Sequence, residues 1–181
     1  MKEIYLVRHC SADGQKPDAQ LTEQGKLQAQ DLVRFFIGKN IEKIYSSTYT
    51  RAVQSVEPLA EALNLNIQQD ARLKERVFST VIMDDWMTWF KKGFENPDLV
   101  FEGGESGRDA KARIVDMFEE IFSSENEKIV VASHGNLIAM FLQTINPTFD
   151  FQDWQKLSNP DVFLIHYSET DQLSYSRVWD K

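Results

Sequence analysis

Residues 4–9 read Ile4-Tyr5-Leu6-Val7-Arg8-His9, an apolar run that stops at two polar, chemistry-bearing side chains. Four consecutive apolar residues ahead of a loop fit a strand buried on both faces, the kind found in parallel sheets. The carboxyl ends of such strands form the edge at which open α/β sheets bind ligands. A second stretch repeats the layout, with Ile129-Val130-Val131-Ala132 followed by Ser133-His134-Gly135-Asn136 at the entry to a helical segment from Leu137 to Ile145. Two strand ends thus deliver one imidazole each.

Between them, strand-like and helix-like patterns alternate. A polar segment containing Gly14 and Pro17 leads to Thr22, a candidate cap for a helix carrying Leu27, Leu32, Phe35 and Phe36 that stops near Gly38. Ile41 to Tyr45 reads as a short strand, Ser46-Ser47-Thr48 as a loop and N-cap, and Thr50 to Leu63 as a helix with Arg51 in its first turn. Residues 66–80 look irregular. Met83, Trp86, Met87, Phe90 and Phe94 recur at helical spacing and read as core, while Trp89 lies off that stripe, facing either a cleft or solvent. A loop with Pro97 and Gly103-Gly104 precedes a long helix from Glu105 to Phe122. After a connector from Pro147 to Pro160, Val162 to Tyr167 and Leu173 to Val178 suggest a hairpin across Glu169-Thr170-Asp171-Gln172. The order predicts an α/β fold, a three-layer α/β/α sandwich around a mixed, largely parallel sheet. One domain over residues 1–181 is expected, with a small helical insertion at about 76–103.

Composition narrows the partners. A formal net charge of -8 over 181 residues opposes nonspecific binding to nucleic acid or an anionic membrane, so any anion site must be local. Cys10 is the only cysteine, which rules out an internal disulfide and a Cys-rich metal site and fits a reducing, cytoplasmic setting. No stretch approaches the length of a membrane span, and no signal-type apolar segment follows Met1.

Five stretches, taken in order, carry a resemblance: Leu6-Val7-Arg8-His9, Leu21-Thr22-Glu23-Gln24-Gly25, Ser46-Ser47-Thr48-Tyr49-Thr50-Arg51-Ala52, Gly104-Glu105-Ser106 and Ser133-His134-Gly135-Asn136. Together they are similar to the motifs of the histidine phosphatase superfamily, which includes the phosphoglycerate mutase-like enzymes. The resemblance implies that both histidines and both arginines gather around one phosphoryl group. A phosphoryl group in transfer spreads negative charge over its oxygens, so pre-oriented donors and positive charge suit it. Arg8 and Arg51 offer rigid, permanently charged forks. His134 would add a donor, and the N–H groups after Gly135 would face the anion from a helix start.

The implied nucleophile is His9, attacking phosphorus as a neutral imidazole to form a phosphohistidine. Its second ring nitrogen needs an acceptor that sequence does not identify. The resemblance places an acid–base carboxylate at Glu75, in Leu73-Lys74-Glu75, with Asp84 and Asp85 as fallbacks; an exposed salt bridge of Glu75 with Lys74 or Arg76 is the duller reading. Glu105 would favour a helix dipole and help position that carboxylate. His166 reads as structural.

Departures from the family pattern matter as well. Cys10 stands where a small residue is usual, so a narrowed pocket is expected; a thiol mechanism lacks its Gly-rich cradle. Glu75 is not followed by the usual glycine and tryptophan. Only thirteen residues separate Arg8 from Thr22, shorter than the corresponding loop of the mutases. A phosphomonoester hydrolase needing no metal and no cofactor is the favoured reading, acting on a small phosphorylated molecule or a phosphoprotein. A mutase-type phosphotransferase and a noncatalytic phospholigand-binding module stay open.

Overall fold

Both apolar runs become central strands because each is covered on two sides. The computed structural model describes residues 2–167 and 172–180. In β1 (Lys2–Arg8), Ile4 and Leu6 enter one core while Tyr5 and Val7 enter the other. β4 (Lys128–Ser133) divides in the same way, Ile129 and Val131 against Val130 and Ala132. The strand period of two thus feeds two helical layers.

One layer holds α1 (Glu23–Phe36) and α2 (Thr50–Leu63), which bury Ala29, Leu32, Phe36, Val56 and Leu59. The opposite layer holds α4 (Gly107–Ser123) and α5 (Gly135–Ile145), packed through Ile114, Phe118, Leu137 and Phe141. Phe118 and Phe141 stack with centroids 3.9 Å apart. Between the layers, β2 (Lys43–Ser46), β3 (Ile67–Gln69), β5 (Asp161–Tyr167) and β6 (Leu173–Arg177) complete a six-stranded sheet in the order β3-β2-β4-β1-β5-β6. The four strands from β3 to β1 are parallel, and β5 and β6 join antiparallel. The expected three-layer α/β/α sandwich with a mixed, largely parallel sheet is the fold observed.

Several local expectations change. Residues 67–69, read as irregular, form the edge strand β3, and Ala71–Leu73 make a 3-10 turn. The long helix begins at Gly107, capped by the Ser106 hydroxyl that accepts the Asp109 N–H at 3.0 Å, so Glu105 lies outside it. α3 (Trp86–Glu95) excludes Met83 and buries Phe90 and Gly93, leaving Trp86 and Met87 substantially exposed. The connector from Pro147 to Pro160 contains α6 (Phe151–Gln155) behind an Asp150 capping box. β5 and β6 pair as predicted; residues 168–171 of the proposed turn lie outside the described residues. Among the described residues, no helix is long and apolar enough to cross a membrane.

Candidate active site

The carboxyl edge is level across three strands. Arg8 closes β1 opposite Ser133 of β4, and Ser46 closes β2 opposite Ala132. The ladder extends one bond further, from the His9 N–H to the Ser133 carbonyl (3.0 Å) and from the Ser47 N–H to the Ala132 carbonyl (2.9 Å). His9, Ser47 and His134 therefore leave the sheet side by side, and the first turn of α2 adds Arg51.

His9 is buried, with its ring centroid 5.2 Å from that of His134. Its Nδ1 lies 2.7 Å from the Cys10 carbonyl oxygen, and Arg51 Nε lies 3.2 Å from its Nε2. A carbonyl only accepts and a guanidinium only donates, so the proton sits on Nδ1 and Nε2 presents a lone pair. The acceptor missing from the sequence reading is thus the next residue's own backbone. Burial lowers the His9 pKa to about 3; the Cys10 carbonyl opposes the shift, and the charges of Arg51 and Arg8 reinforce it.

His134 is wholly buried, with Nε2 2.8 Å from the Ser47 hydroxyl and the Tyr49 ring edge-on at 5.1 Å. Burial, then the charges of His9 and Arg51, hold its pKa well below the usual histidine value. The stretch Ser46-Ser47-Thr48 was expected to supply an N-cap, but α2 is capped at Tyr49 without a side-chain bond, and the Ser47 hydroxyl instead meets His134.

The arginines are held by groups that accept without cancelling charge. Arg51, fully buried, donates through Nη1 to the carbonyls of Lys16 (2.9 Å) and Gln15 (3.3 Å) and packs its guanidinium 5.1 Å from the Tyr49 ring centroid. Arg8 donates through Nη1 to the carbonyls of Leu157 (3.0 Å) and Ser158 (3.3 Å). Burial lowers the proton affinity of both, and the Glu75 carboxylate opposes that loss in each case. Five buried side-chain polar atoms among the described residues have no protein partner, among them Arg8 Nε, Arg51 Nη2 and His134 Nδ1. Each of the three side chains expected to bind an anion, Arg8, Arg51 and His134, thus has one buried nitrogen uncommitted.

Glu75 follows the 3-10 turn, whose Leu73 side chain is buried in the core and whose Leu73 carbonyl accepts from the Ser133 hydroxyl at 2.9 Å. Its carboxylate accepts the N–H groups of Arg76 (2.8 Å), Leu137 (3.0 Å) and Asn136 (3.1 Å). Two of these donors are the helix-start groups expected to face an anion beyond Gly135; they hold Glu75 instead, which corrects that expectation. Gly135 has a different use. A Cβ there would sit 2.9 Å from Arg8 Nε, so its bareness lets the guanidinium lie on the start of α5.

The structure separates the remaining candidates. Asp84 and Asp85 are exposed ahead of α3 and do not line the cavity. Glu105 pairs with Arg113 through both oxygens (2.6 and 2.9 Å), and Arg113 donates to the Arg72 carbonyl at 2.6 Å. It braces the segment that carries Glu75 without touching that carboxylate. Cys10 points into the core beside α1 and α2 and does not narrow the pocket; burial pushes its thiol up to about 12. Ser55 accepts the Cys10 N–H at 2.8 Å and donates to the Arg51 carbonyl at 2.6 Å, tying the loop after His9 to α2. Trp89 contacts Phe101 and Lys92 away from the cavity, and His166 lies in register with Glu3 and Ser174.

Arg76 was read only as a surface partner of Glu75. It is buried and lines the cavity, donating to the carbonyls of Glu105 (3.0 Å) and Leu99 (3.2 Å). A lone arginine beside two other charges gave no sequence signal for burial. Tyr49 and Ser47 were within a matched stretch, yet nothing in residue type alone assigned them to His134.

Comparisons with known proteins bear on the fold and the family. The chain is 29% identical over 150 residues to "Phosphoserine phosphatase 1" of Hydrogenobacter thermophilus, covering 74% of this chain and 71% of that protein. A phosphoserine phosphatase of Entamoeba histolytica, solved with phosphoserine, superposes with a TM-score of 0.80 at 21% identity, over 98% of this chain and 96% of that one. A mycobacterial glucosyl-3-phosphoglycerate phosphatase solved with inorganic phosphate gives a TM-score of 0.75 at 22% identity, over 100% and 98% of the two chains. The model of the histidine phosphatase superfamily, branch 1, matches residues 4–176, and the chain belongs to that family.

Proposed function

We propose that this protein hydrolyses phosphomonoesters through a phosphohistidine on His9. The supporting observation is the fixed tautomer: with its proton on Nδ1 and bonded to the Cys10 carbonyl, His9 presents a lone pair on Nε2 to the Arg51 guanidinium, whose Nε lies 3.2 Å away. In the first displacement, Nε2 attacks phosphorus, the bond to the ester oxygen breaks, and that oxygen takes the proton of Glu75. In the second, water attacks phosphorus, Glu75 accepts the water's proton, the N–P bond breaks and phosphate leaves. The sum is ester plus water giving alcohol plus phosphate, with His9 and Glu75 restored.

Arg8, Arg51 and His134 carry the charge and donors for the equatorial oxygens, the role a metal ion fills elsewhere. For His134 this requires the Ser47 hydroxyl to donate to Nε2, leaving the proton on Nδ1. Hydrolysis is favoured over transfer because the loop from β1 to α1 is short and folds onto the site. Gln15 and Lys16 lend their carbonyls to Arg51, and the Thr50 N–H donates to the Pro17 carbonyl at 3.0 Å.

Phosphate release from alkyl and aryl esters tests the assignment. Glu75→Gln is expected to lower kcat/KM, which reports the first displacement, about 10²- to 10⁴-fold for alkyl esters and much less for aryl esters, because an aryl oxide leaves without a proton. Equal loss on both series would remove Glu75 from the acid role. Chelator in the assay is expected to change nothing; loss of activity restored by a divalent ion would contradict the metal-free mechanism.

A further inference from the structure

We propose that the leaving group of the substrate is an apolar alcohol, an alkyl chain or aryl ring that runs from the phosphoryl site across Phe78 and Trp86 into a groove beside Val81, Ile82 and Met83. This rests on the phosphatase reading above and names the substrate class for the same site. The cavity that holds Arg8 and Glu75 measures about 590 Å³, room for a ligand much larger than phosphate. Its other wall is aromatic. Phe90 forms the hub, with ring centroids 4.6 Å from Trp154, 5.5 Å from Phe78 and 5.9 Å from Trp86.

A second groove of about 290 Å³ continues from this wall and shares Phe78, Ser79 and Trp86 with it. No charged side chain lines the groove. Ile82 is 95% exposed and Val81 50%, so an occupant would remove apolar surface from water. The stretch leading into the loop is tied down, by the Thr80 N–H on the Glu102 carbonyl (3.0 Å) and by the Glu105 N–H on the Val77 carbonyl (2.7 Å). A leaving group bearing a carboxylate would need a cation on this side. Arg76 is the cation on that wall, and its Nε and Nη2 are committed to backbone carbonyls while its guanidinium packs 5.2 Å from the Phe78 ring centroid.

Linear alkyl phosphates from ethyl to octyl, each below its micelle-forming concentration, are measured beside phosphoserine and 3-phosphoglycerate. The proposal expects kcat/KM to rise about twofold per methylene, half of what full burial of each group gives, and to exceed that of both carboxylate esters. The double variant Val81→Ser, Ile82→Ser, altered at exposed positions, is expected to shrink the octyl-to-ethyl ratio several-fold. A flat or falling series, or a preference for phosphoserine, with phosphate still released, would overturn the apolar assignment alone. Failure to release phosphate from any ester would overturn the phosphatase reading beneath it.

Discussion

At His9, an acceptor on one ring nitrogen and a donor on the other leave a single arrangement of the proton. Burial then keeps the ring neutral far below the pH at which an exposed histidine charges. Nitrogen-15 NMR is expected to show His9 and His134 neutral and unchanged between pH 8 and 5, with His9 protonated at Nδ1. Titration of either near pH 6.5 would contradict the environment described. Stability follows the same shift. The folded state refuses protons that the unfolded chain accepts below about pH 6.5, so stability falls as pH drops through that value and goes on falling towards the folded-state pKa. The urea midpoint should therefore be lower at pH 5 than at pH 7, with a smaller decrease in His134→Gln. A larger decrease in that variant would show that the burial of His134 is not the source. Arg51→Lys removes the fork that reaches His9 and two carbonyls at once, and about a 10²-fold loss in kcat/KM is expected.

Among the elements, the start of α5 joins the two halves of the chemistry. Its N–H groups hold Glu75 while Gly135 gives Arg8 its place. Gly135→Ala puts a methyl group about 3 Å from the guanidinium, and a loss of about tenfold in kcat/KM with little change in Tm is expected. A large Tm loss with normal activity would assign that glycine to packing alone. In the core, Phe118→Ala removes a stacked, fully buried ring and should cost about 3–5 kcal/mol in denaturant unfolding. β1 and β4 were legible in the sequence because burial on both faces makes their runs uniformly apolar. β3 was not, since three residues, Ile67-Gln68-Gln69, at a sheet edge carry too little pattern to separate from loop. The capping of α5 by Glu75 was also hidden: 60 residues of chain lie between that carboxylate and the Asn136 N–H it accepts, and only the level strand ends bring them together.

At the scale of the whole molecule, the sandwich places its loops so that residues from the beginning, middle and end of the chain share one cavity. That convergence was legible from ordered motifs, because matched strand ends predict a common edge. The direction of the Cys10 side chain was not, because it depends on how the chain turns after β1. The acidic surface, with net charge -8, leaves the half-buried Arg8 and the fully buried Arg51 as a local exception suited to an anion. The most direct test of the account is to trap the enzyme during turnover. With Glu75→Gln and an aryl phosphate, the first displacement proceeds and the attack of water is slowed. An alkaline quench followed by peptide mapping is expected to find the phosphoryl group on Nε2 of His9, stable in base, lost in acid and absent from His9→Ala. Phosphate released over many turnovers with the label on another side chain, or with His9→Ala as active as wild type, would contradict it.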